Sequence, residues 1–193
     1  MITTWWWVRH GPTHEKSFVG WRDVPADLSD QARLARLNDH LPTNAIVVAS
    51  DLSRASATAD TLSPGRHRSV DDPALREFHF GDWDGLHFDA VAERDPEISR
   101  AFWETPGDVA PPGGESWNEA AARVAPVVDR LNREYAGRHI IAVAHIGVIM
   151  TQIQRASGGT PTQAIAHQID NLSVTKLVHG PEGWRTDYIN HNP

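Results

Sequence analysis

The chain has 193 residues, which is enough for one compact domain with a substantial core and short for two. Hydrophobic residues make up 40% of the chain and charged residues 22%, proportions that are typical of a globular protein. The formal net charge of -7 argues against a nucleic-acid-binding protein, which normally needs a basic face, and the absence of Cys excludes disulfides and thiolate catalysis.

The sequence carries no sign of a targeting or membrane-spanning segment. Residues 1–9 lack a basic region followed by a long apolar run, so we expect no signal peptide. No apolar stretch is long enough to cross a bilayer. We therefore expect a cytoplasmic protein with no membrane or nucleic-acid partner, while a homo-oligomer is compatible with the sequence.

Strand and helix patterns alternate along the chain. Apolar runs without alternation predict doubly covered strands at 5–8, 45–49 and 140–144, and later strands are predicted at 172–178 and 184–189. Helical patterns follow Ser29, Ser53 and His145, and another runs from Ser116 to about Tyr135. This order predicts an α/β fold with a largely parallel sheet, in which Trp5 and Trp7 face one side and Trp6 the other.

Two features of the second half qualify this pattern. Ser116-x-x-Glu119 forms a capping box, but Pro126 should kink or split the helix that it begins. Residues 78–115 combine two short helical patterns, 89–94 and 96–104, with a run rich in Pro and Gly at 105–114. We interpret this segment as a cap insertion lying over the end of the sheet within a single domain, 1–193.

Three predicted strands end in residues suited to binding phosphate. The first delivers Arg9-His10-Gly11, the second Ser50-Asp51-Leu52-Ser53-Arg54 and the third His145-Ile146-Gly147. Ligands of open α/β sheets bind beyond the carboxyl ends of the strands, where helix N-termini also favour anions. Two guanidiniums and two imidazoles meeting there predict a phosphate pocket, in which a neutral imidazole can attack phosphorus.

A hydrolytic reaction at this pocket also needs a proton donor for the leaving oxygen. Glu77 is the best-placed carboxylate for that role. Each of these residues taken alone has an ordinary structural explanation: a turn, a solvated Arg, a core His or a surface Glu. Their joint placement at strand ends is what favours a catalytic site.

Five sequence blocks, in order, resemble the histidine phosphatase superfamily, the phosphoglycerate mutase-like group. They are Val8-Arg9-His10-Gly11, Ser50-Asp51-Leu52-Ser53-Arg54-Ala55, Glu77 with Phe80-Gly81-x-Trp83-x-Gly85, Pro112-Gly113-Gly114-Glu115-Ser116 and Val143-Ala144-His145. The resemblance implies a three-layer α/β/α fold and a phosphohistidine intermediate on His10. It also implies that Arg9, Arg54 and His145 bind the phosphoryl group, together with Ile146 at the start of the following helix, and that Glu77 is the proton donor.

Some positions depart from the family pattern. Pro12 stands where many members have an acidic residue, and Ile146 stands where they have a second Gly. Neither change removes a charged ligand, so we expect phosphoryl transfer to persist. By the same pattern a mutase would carry a Lys near Phe88 and paired Arg residues after Trp103, where this chain has Phe88 and Glu104-Thr105.

We therefore expect a metal-independent phosphatase that acts on a small phosphorylated metabolite and needs no cofactor. Two alternatives stay open: a cofactor-dependent phosphoglycerate mutase, if Arg94 or Arg100 supplies the missing charge, and a non-catalytic phospho-ligand binding module. His10-x-x-x-His14 has metal-ligand spacing, but Gly11-Pro12 disfavours a helix there, and we expect His14 at the pocket rim.

The remaining aromatic and imidazole groups have two interpretations each. His79 is either a second acid beside Glu77 or a structural residue. The aromatic residues of the cap segment either line the pocket or pack the segment on the sheet, and we favour packing for most of them: Trp83, Phe88, Phe102 and Trp103.

Overall fold

The computed structural model describes residues 1–193 and contains a mixed sheet of six strands. The strands are β1 (Thr3–Arg9), β2 (Ala45–Ala49), β3 (His67–Arg68), β4 (His139–Ala144), β5 (Val174–Gly180) and β6 (Gly183–His191). Their order across the sheet is β3-β2-β4-β1-β5-β6. Neighbours from β3 to β1 are parallel, and only β5 runs in the opposite direction. The carboxyl ends of β1, β2 and β4 therefore meet at one edge.

Seven helices accompany the sheet. They are α1 (Gln31–His40), α2 (Ser53–Thr61), α3 (Phe88–Arg94), α4 (Pro96–Glu104), α5 (Trp117–Glu134), α6 (Ile146–Ser157) and α7 (Pro161–Ile165), with 3-10 turns at Pro73–Leu75 and Gly81–Trp83. None of them has both the length and the apolar character needed to cross a membrane.

The three consecutive tryptophans of β1 divide between two cores. Trp5 and Trp7 stack with ring centroids 5.1 Å apart in the core shared with α5 and α6, and Trp6 belongs to the core shared with α1 and α2. This confirms the predicted alternation of faces and the three-layer α/β/α arrangement. Full burial of a large apolar side chain contributes about 1.5–3 kcal/mol, so both layers are well anchored on β1.

Helix α5 begins at the predicted capping box and is not split at Pro126. The Ser116 hydroxyl accepts from the Glu119 N–H at 3.2 Å, and the Glu119 carboxylate accepts from the Ser116 N–H at 2.7 Å. The helix is continuous through Pro126, so of the two expected effects, a kink or a split, the split does not occur. Pro126 and Ala122, whose carbonyl loses its helical donor, both lie on the exposed face, where water can replace that donor.

Other differences from the predicted elements concern short segments. The strand predicted from residue 172 begins at Val174, because Leu172 adopts a left-handed conformation with φ of 59°. Strand β3 has only two residues, too few for a periodic pattern. Helix α7 was not predicted, although Thr160-Pro161-x-Gln163 is a capping box that marks its start.

The segment 78–115, called the cap segment below, contains α3, α4 and the Gly81–Trp83 turn. It is joined to the loop after β1 by two backbone hydrogen bonds, from the Phe18 N–H to the Leu86 carbonyl and from the Gly85 N–H to the Phe18 carbonyl, each 2.9 Å long. Within the segment, Trp83 is fully buried. These contacts hold the cap segment over the sheet edge at which β1 ends.

Candidate active site

Residues that follow β1, β2 and β4 meet at the carboxyl edge of the sheet. His10 directly follows β1, Arg54 lies in the first turn of α2, and His145 precedes α6. All three are buried, and the ring centroids of His10 and His145 are 5.1 Å apart. The His10 N–H donates to the Ala144 carbonyl at 3.1 Å, which ties the ends of β1 and β4 together.

The imidazole of His10 is held in one tautomer. Its Nδ1 lies 2.7 Å from the Gly11 carbonyl oxygen, which can only accept, so Nδ1 carries the proton and Nε2 keeps a lone pair. The Asn171 amide donates to the His10 carbonyl at 2.9 Å and fixes the backbone on the other side. A Cβ at Gly11 would lie 2.7 Å from the end of the Leu28 side chain and 3.2 Å from the Asp27 carbonyl oxygen, so this turn has little room for a side chain.

The site keeps its imidazoles neutral. Burial, assisted by the charge of Arg54, lowers the pKa of His10 to about 3. Burial also lowers the pKa of His145 well below its usual range, and His10 and Arg54 add to that effect. Because a neutral imidazole is nucleophilic, His10 is in its reactive form at neutral pH.

Arg54 is positioned by the loop after β1. Its guanidinium donates to the Gly20 carbonyl at 2.7 Å and to the Arg22 carbonyl at 3.1 Å, while the side chain is 1% exposed. Arg9 is held in a similar way, because its Nη1 donates to the Ile169 carbonyl at 2.6 Å.

Several buried polar atoms at this edge have no protein partner. They are the Nε atoms of Arg9 and Arg54 and both ring nitrogens of His145. Buried polar groups are normally hydrogen-bonded to protein, water or a ligand, so a cluster of such groups without protein partners favours a binding site here. Two guanidiniums among them make an anion the fitting ligand.

Glu77 faces the same site with a fully desolvated carboxyl group. Its Oε1 accepts from the Phe78 N–H at 2.9 Å and its Oε2 from the Gly147 N–H at 3.2 Å. Burial raises the pKa of Glu77, and these two hydrogen bonds together with the charge of Arg54 only partly oppose it. A carboxyl group with a raised pKa is suited to exchanging a proton near neutral pH.

The backbone of Glu77 is braced by two residues that sequence reasoning missed. Trp21 donates from its indole N–H to the Glu77 carbonyl at 2.7 Å. Arg123 of α5 pairs with the Glu115 carboxylate and donates to three carbonyls, those of Ala74, Arg76 and Glu77. In the sequence Arg123 is one of several charged residues on an amphipathic helix, and nothing marks it as different from them.

These groups open into a cavity of about 490 Å³. Of the predicted site residues, Arg9, His10, Arg54, Glu77 and Ile146 line it, and His145 lies behind His10 with no exposed surface. The remaining lining residues are Thr13, Glu15, Ser17, Phe18, Val19, Phe78, Phe80, Phe88, Phe102, Trp103, Trp117, Gly147, Met150, Ile165 and His167.

The aromatic residues of the cap segment contribute more to the cavity than predicted. Trp83 packs in the core, as expected, but Phe88, Phe102 and Trp103 all line the cavity, so packing alone describes only a minority of the four. Phe102 is buried as well, whereas Phe88 is 52% exposed and Trp103 39% exposed. The cavity therefore has a charged end at the sheet and an aromatic end at the cap segment.

Two other histidines lie outside the cavity. His14 lines a separate small pocket with Asp27, whose carboxylate is 2.8 Å from its Nε2, and so does not lie at the rim of the main cavity. The Nδ1 of His79 accepts from the Gly81 N–H at 3.0 Å, and its ring packs on Trp21. No group of three or more His, Asp or Glu side chains is arranged to hold a metal ion.

The α/β sheet, with two buried histidines, two arginines and a buried carboxyl group at one edge, fits the family that the sequence blocks resemble. Comparison with known families agrees, since residues 5–192 match the model of the histidine phosphatase superfamily, branch 1. The chain belongs to this superfamily.

Two relatives that resemble the chain differ in length and in name. It is 38% identical over 141 residues to the bifunctional protein Rv2228c of Mycobacterium tuberculosis, a match covering 72% of this chain and 36% of that protein, so it spans about a third of that relative's length. It is 34% identical over 151 residues to a 2,3-bisphosphoglycerate-dependent phosphoglycerate mutase of Allorhizobium ampelinum, covering 72% of each.

Among solved structures, a mycobacterial glucosyl-3-phosphoglycerate phosphatase, Rv2419c, in complex with VO3 superimposes with a TM-score of 0.84 at 30% identity. That match covers 97% of this chain and 98% of the other. The relatives thus include both phosphatases and mutases.

Proposed function

We propose that the protein is a metal-independent phosphatase that hydrolyses a small phosphomonoester through a phosphohistidine intermediate on His10. The observation that supports this most is the pairing of a tautomer-fixed His10, whose Nε2 has a free lone pair, with the buried carboxyl group of Glu77 beside the same cavity. A nucleophile and a proton donor on opposite sides of a phosphoryl group are what hydrolysis of an ester requires.

The reaction has two steps in this proposal. His10 Nε2 attacks phosphorus, the bond from phosphorus to the ester oxygen breaks, and Glu77 gives its proton to the departing alkoxide. Water then attacks the phosphohistidine, Glu77 takes a proton from that water, and phosphate leaves with His10 restored. Arg9, Arg54 and the N-terminus of α6 at Ile146 line the cavity and bind the phosphoryl oxygens, whose charge their preorganised donors stabilise. In this proposal His145 adds one of its unpartnered ring nitrogens, which requires the cavity wall in front of it to shift, because His145 has no exposed surface.

Water is the proposed acceptor because the cap segment offers no cation for a phosphoglycerate. Arg94 pairs with Asp82 at 2.7 Å and lies near Asp95, and neither it nor Arg100 lines the cavity. The position near which a mutase would place a Lys holds Phe88, which is apolar. A mutase must bind a carboxylate and a second phosphate in addition to the transferred group, and apart from Arg9, Arg54 and His10 the only basic side chain that lines this cavity is His167.

The competing functions are separated by one pair of assays. The phosphatase predicts phosphate release from a panel of phosphomonoesters, with no interconversion of 2- and 3-phosphoglycerate when bisphosphoglycerate is added. Interconversion faster than phosphate release would establish a mutase instead. A non-catalytic module predicts that inorganic phosphate raises the melting temperature while no substrate is turned over.

A further inference from the structure

We propose that the substrate's leaving group is uncharged and apolar, an aromatic ring in particular, and that it packs against Phe88 and Trp103 of the cap segment. This inference rests on the proposed phosphatase function and concerns the part of the cavity that the phosphoryl group does not fill. It assigns these two residues the role of selecting the substrate.

Phe88 and Trp103 present apolar surface that the folded chain itself leaves uncovered. Both line the cavity, and both are among the few large apolar side chains that are substantially exposed. Exposed aromatic surface that borders a concave site generally marks a place where a ligand binds. Ile98, in the same helix as Trp103, is also exposed but does not line the cavity.

The positions of the two rings are set by packing behind them. Phe18 contacts Phe88 at a ring-centroid distance of 4.4 Å and Trp103 at 6.0 Å. Trp103 also meets the edge of Phe102, 4.9 Å away and nearly perpendicular. Because Phe18 and Phe102 are buried, the exposed rings rest on a fixed aromatic base. A flat ring can therefore enter without reordering the wall, in the offset or edge-on geometry that aromatic pairs prefer.

Charge at this end of the cavity disfavours an anionic leaving group. The lining arginines, Arg9 and Arg54, lie at the sheet edge and belong to the phosphate end. Besides them and His10, the only basic side chain in the lining is the imidazole of His167. The one lining carboxylate besides Glu77 is Glu15, which would repel a substrate carboxylate. A cationic leaving group would also lack a free counter-charge, because Glu15 is already paired with Arg22 at 3.1 Å and accepts from the Ser17 hydroxyl.

The size of the cavity fits this assignment. A volume of about 490 Å³ lies within the range of sites that enclose small organic molecules, roughly 300–1,000 Å³. A phosphoryl group alone fills only a fraction of it. The remainder is bounded mainly by aromatic and aliphatic side chains, which gain most from an apolar occupant.

The test compares phosphate esters of primary alcohols, so that intrinsic leaving-group reactivity differs little among them. The probes are 2-phenylethyl phosphate, n-propyl phosphate, 3-phosphoglycerate and phosphocholine, with kcat/KM as the readout. We expect 2-phenylethyl phosphate to exceed n-propyl phosphate by about tenfold or more, the discrimination that apolar pockets reach. A higher kcat/KM for 3-phosphoglycerate or phosphocholine than for 2-phenylethyl phosphate would overturn the proposal.

Variants assign the effect to the two rings. In Phe88→Ala and in Trp103→Ala the ratio of kcat/KM for 2-phenylethyl phosphate to that for n-propyl phosphate should fall at least threefold, approaching one in the double variant. The ratio is internal to each protein, so a loss of folded enzyme does not affect it. Ile98→Ala removes an exposed apolar side chain of the same helix outside the cavity and should keep the wild-type ratio.

Failure of this inference is distinguishable from failure of the phosphatase assignment. If n-propyl phosphate is hydrolysed but the wild-type ratio is close to one, or the ratio survives in the double variant, only the aromatic-pocket proposal is wrong. If no ester releases phosphate at all, both proposals are wrong.

Discussion

At the scale of single residues, the site depends on His10 remaining uncharged. A buried imidazole between two guanidiniums cannot easily accept a proton, and its pKa falls to about 3. The Nδ1 hydrogen bond to the Gly11 carbonyl then decides which nitrogen is left to react. Burial and tautomer thus leave the same atom, Nε2, with a free lone pair, as the proposed attack on phosphorus requires.

The depressed pKa of His10 makes a prediction about stability. The unfolded chain binds a proton at His10 below pH 6.5 whereas the folded chain does not until about pH 3, so folding stability is lost as pH falls through this window. His10→Asn keeps a donor for the Gly11 carbonyl but removes the titrating group. We expect the free energy of unfolding, measured in urea, to fall more steeply between pH 7 and 4 in the wild type than in this variant, by up to about 1.4 kcal/mol per pH unit. Parallel curves would show that His10 is not held neutral.

Glu77 makes a prediction about catalysis. Glu77→Gln cannot give a proton, so we expect kcat for n-propyl phosphate to fall roughly 10²–10⁴-fold, the usual contribution of a general acid. With p-nitrophenyl phosphate, whose leaving group needs no proton, the rate of enzyme phosphorylation should fall much less. Rapid-quench measurement of that step with both substrates checks this, and equal losses would argue against Glu77 as the donor.

The pH dependence of the phosphorylation step is a second test of Glu77 as the proton donor. A donor must be protonated, so phosphorylation by n-propyl phosphate should decline as pH rises through the pKa of Glu77, which burial places above its ordinary value. This basic limb should be absent from the Gln variant. If the limb persists there, another group is titrating.

At the scale of elements, the start of α6 is shaped around Glu77. Gly147 donates its N–H to the Glu77 carboxylate, and a Cβ there would lie 2.5 Å from Oε1 and 2.8 Å from the Phe78 ring. Helix α6 can approach the carboxyl group this closely only because residue 147 has no side chain. The first turn of the helix is therefore part of the site as well as a neighbour of it.

Gly147→Ala should consequently damage activity more than stability. We expect kcat to fall by more than tenfold, while overpacking costs about 1–3 kcal/mol of unfolding free energy. Gly180→Ala, where the new Cβ meets nothing closer than 3.6 Å, is the matched control and should keep wild-type activity. Wild-type kcat in Gly147→Ala would show that the position of the Glu77 carboxyl group is not critical.

Helix α5 contributes the brace of Glu77 through Arg123. Arg123→Ala would leave three loop carbonyls without their donor, for which we expect a loss of about 2–4 kcal/mol in unfolding free energy and a lower kcat. Arg130→Ala, on the same helix, removes half-exposed ion pairs with Asp72 and Glu134 and should cost less than about 1 kcal/mol. Equal losses of unfolding free energy in the two variants would contradict the proposed role of Arg123 in holding the backbone of Glu77.

At the scale of the whole molecule, the sequence predicts the framework better than the contacts. Apolar runs predict strands β1, β2 and β4, and a capping box predicts the start of α5. The alternation of faces along β1 predicts a core on each side of the sheet. The sequence also predicts that the polar residues at the strand ends lie close together, because parallel strands bring their carboxyl ends to one edge. Their roles in the reaction stay predictions.

What the sequence could not supply depends on tertiary contacts. Pro126 reads as a helix breaker, yet the carbonyl that it leaves unpaired faces solvent and the helix continues. The brace by Arg123 joins residues 46 to 49 positions apart. Phe88 and Trp103 look like packing residues until the cap segment is placed over β1, where they become part of the cavity wall.

The most direct test of the account is to trap the phosphorylated enzyme. Rapid quenching after mixing with a radiolabelled phosphomonoester should yield a protein-bound label that is stable in base and labile in acid, maps to His10 and is absent from His10→Ala. The label should decay into inorganic phosphate at the rate of turnover. Phosphate release without any such label, or a label that survives the loss of His10, would contradict the proposed mechanism.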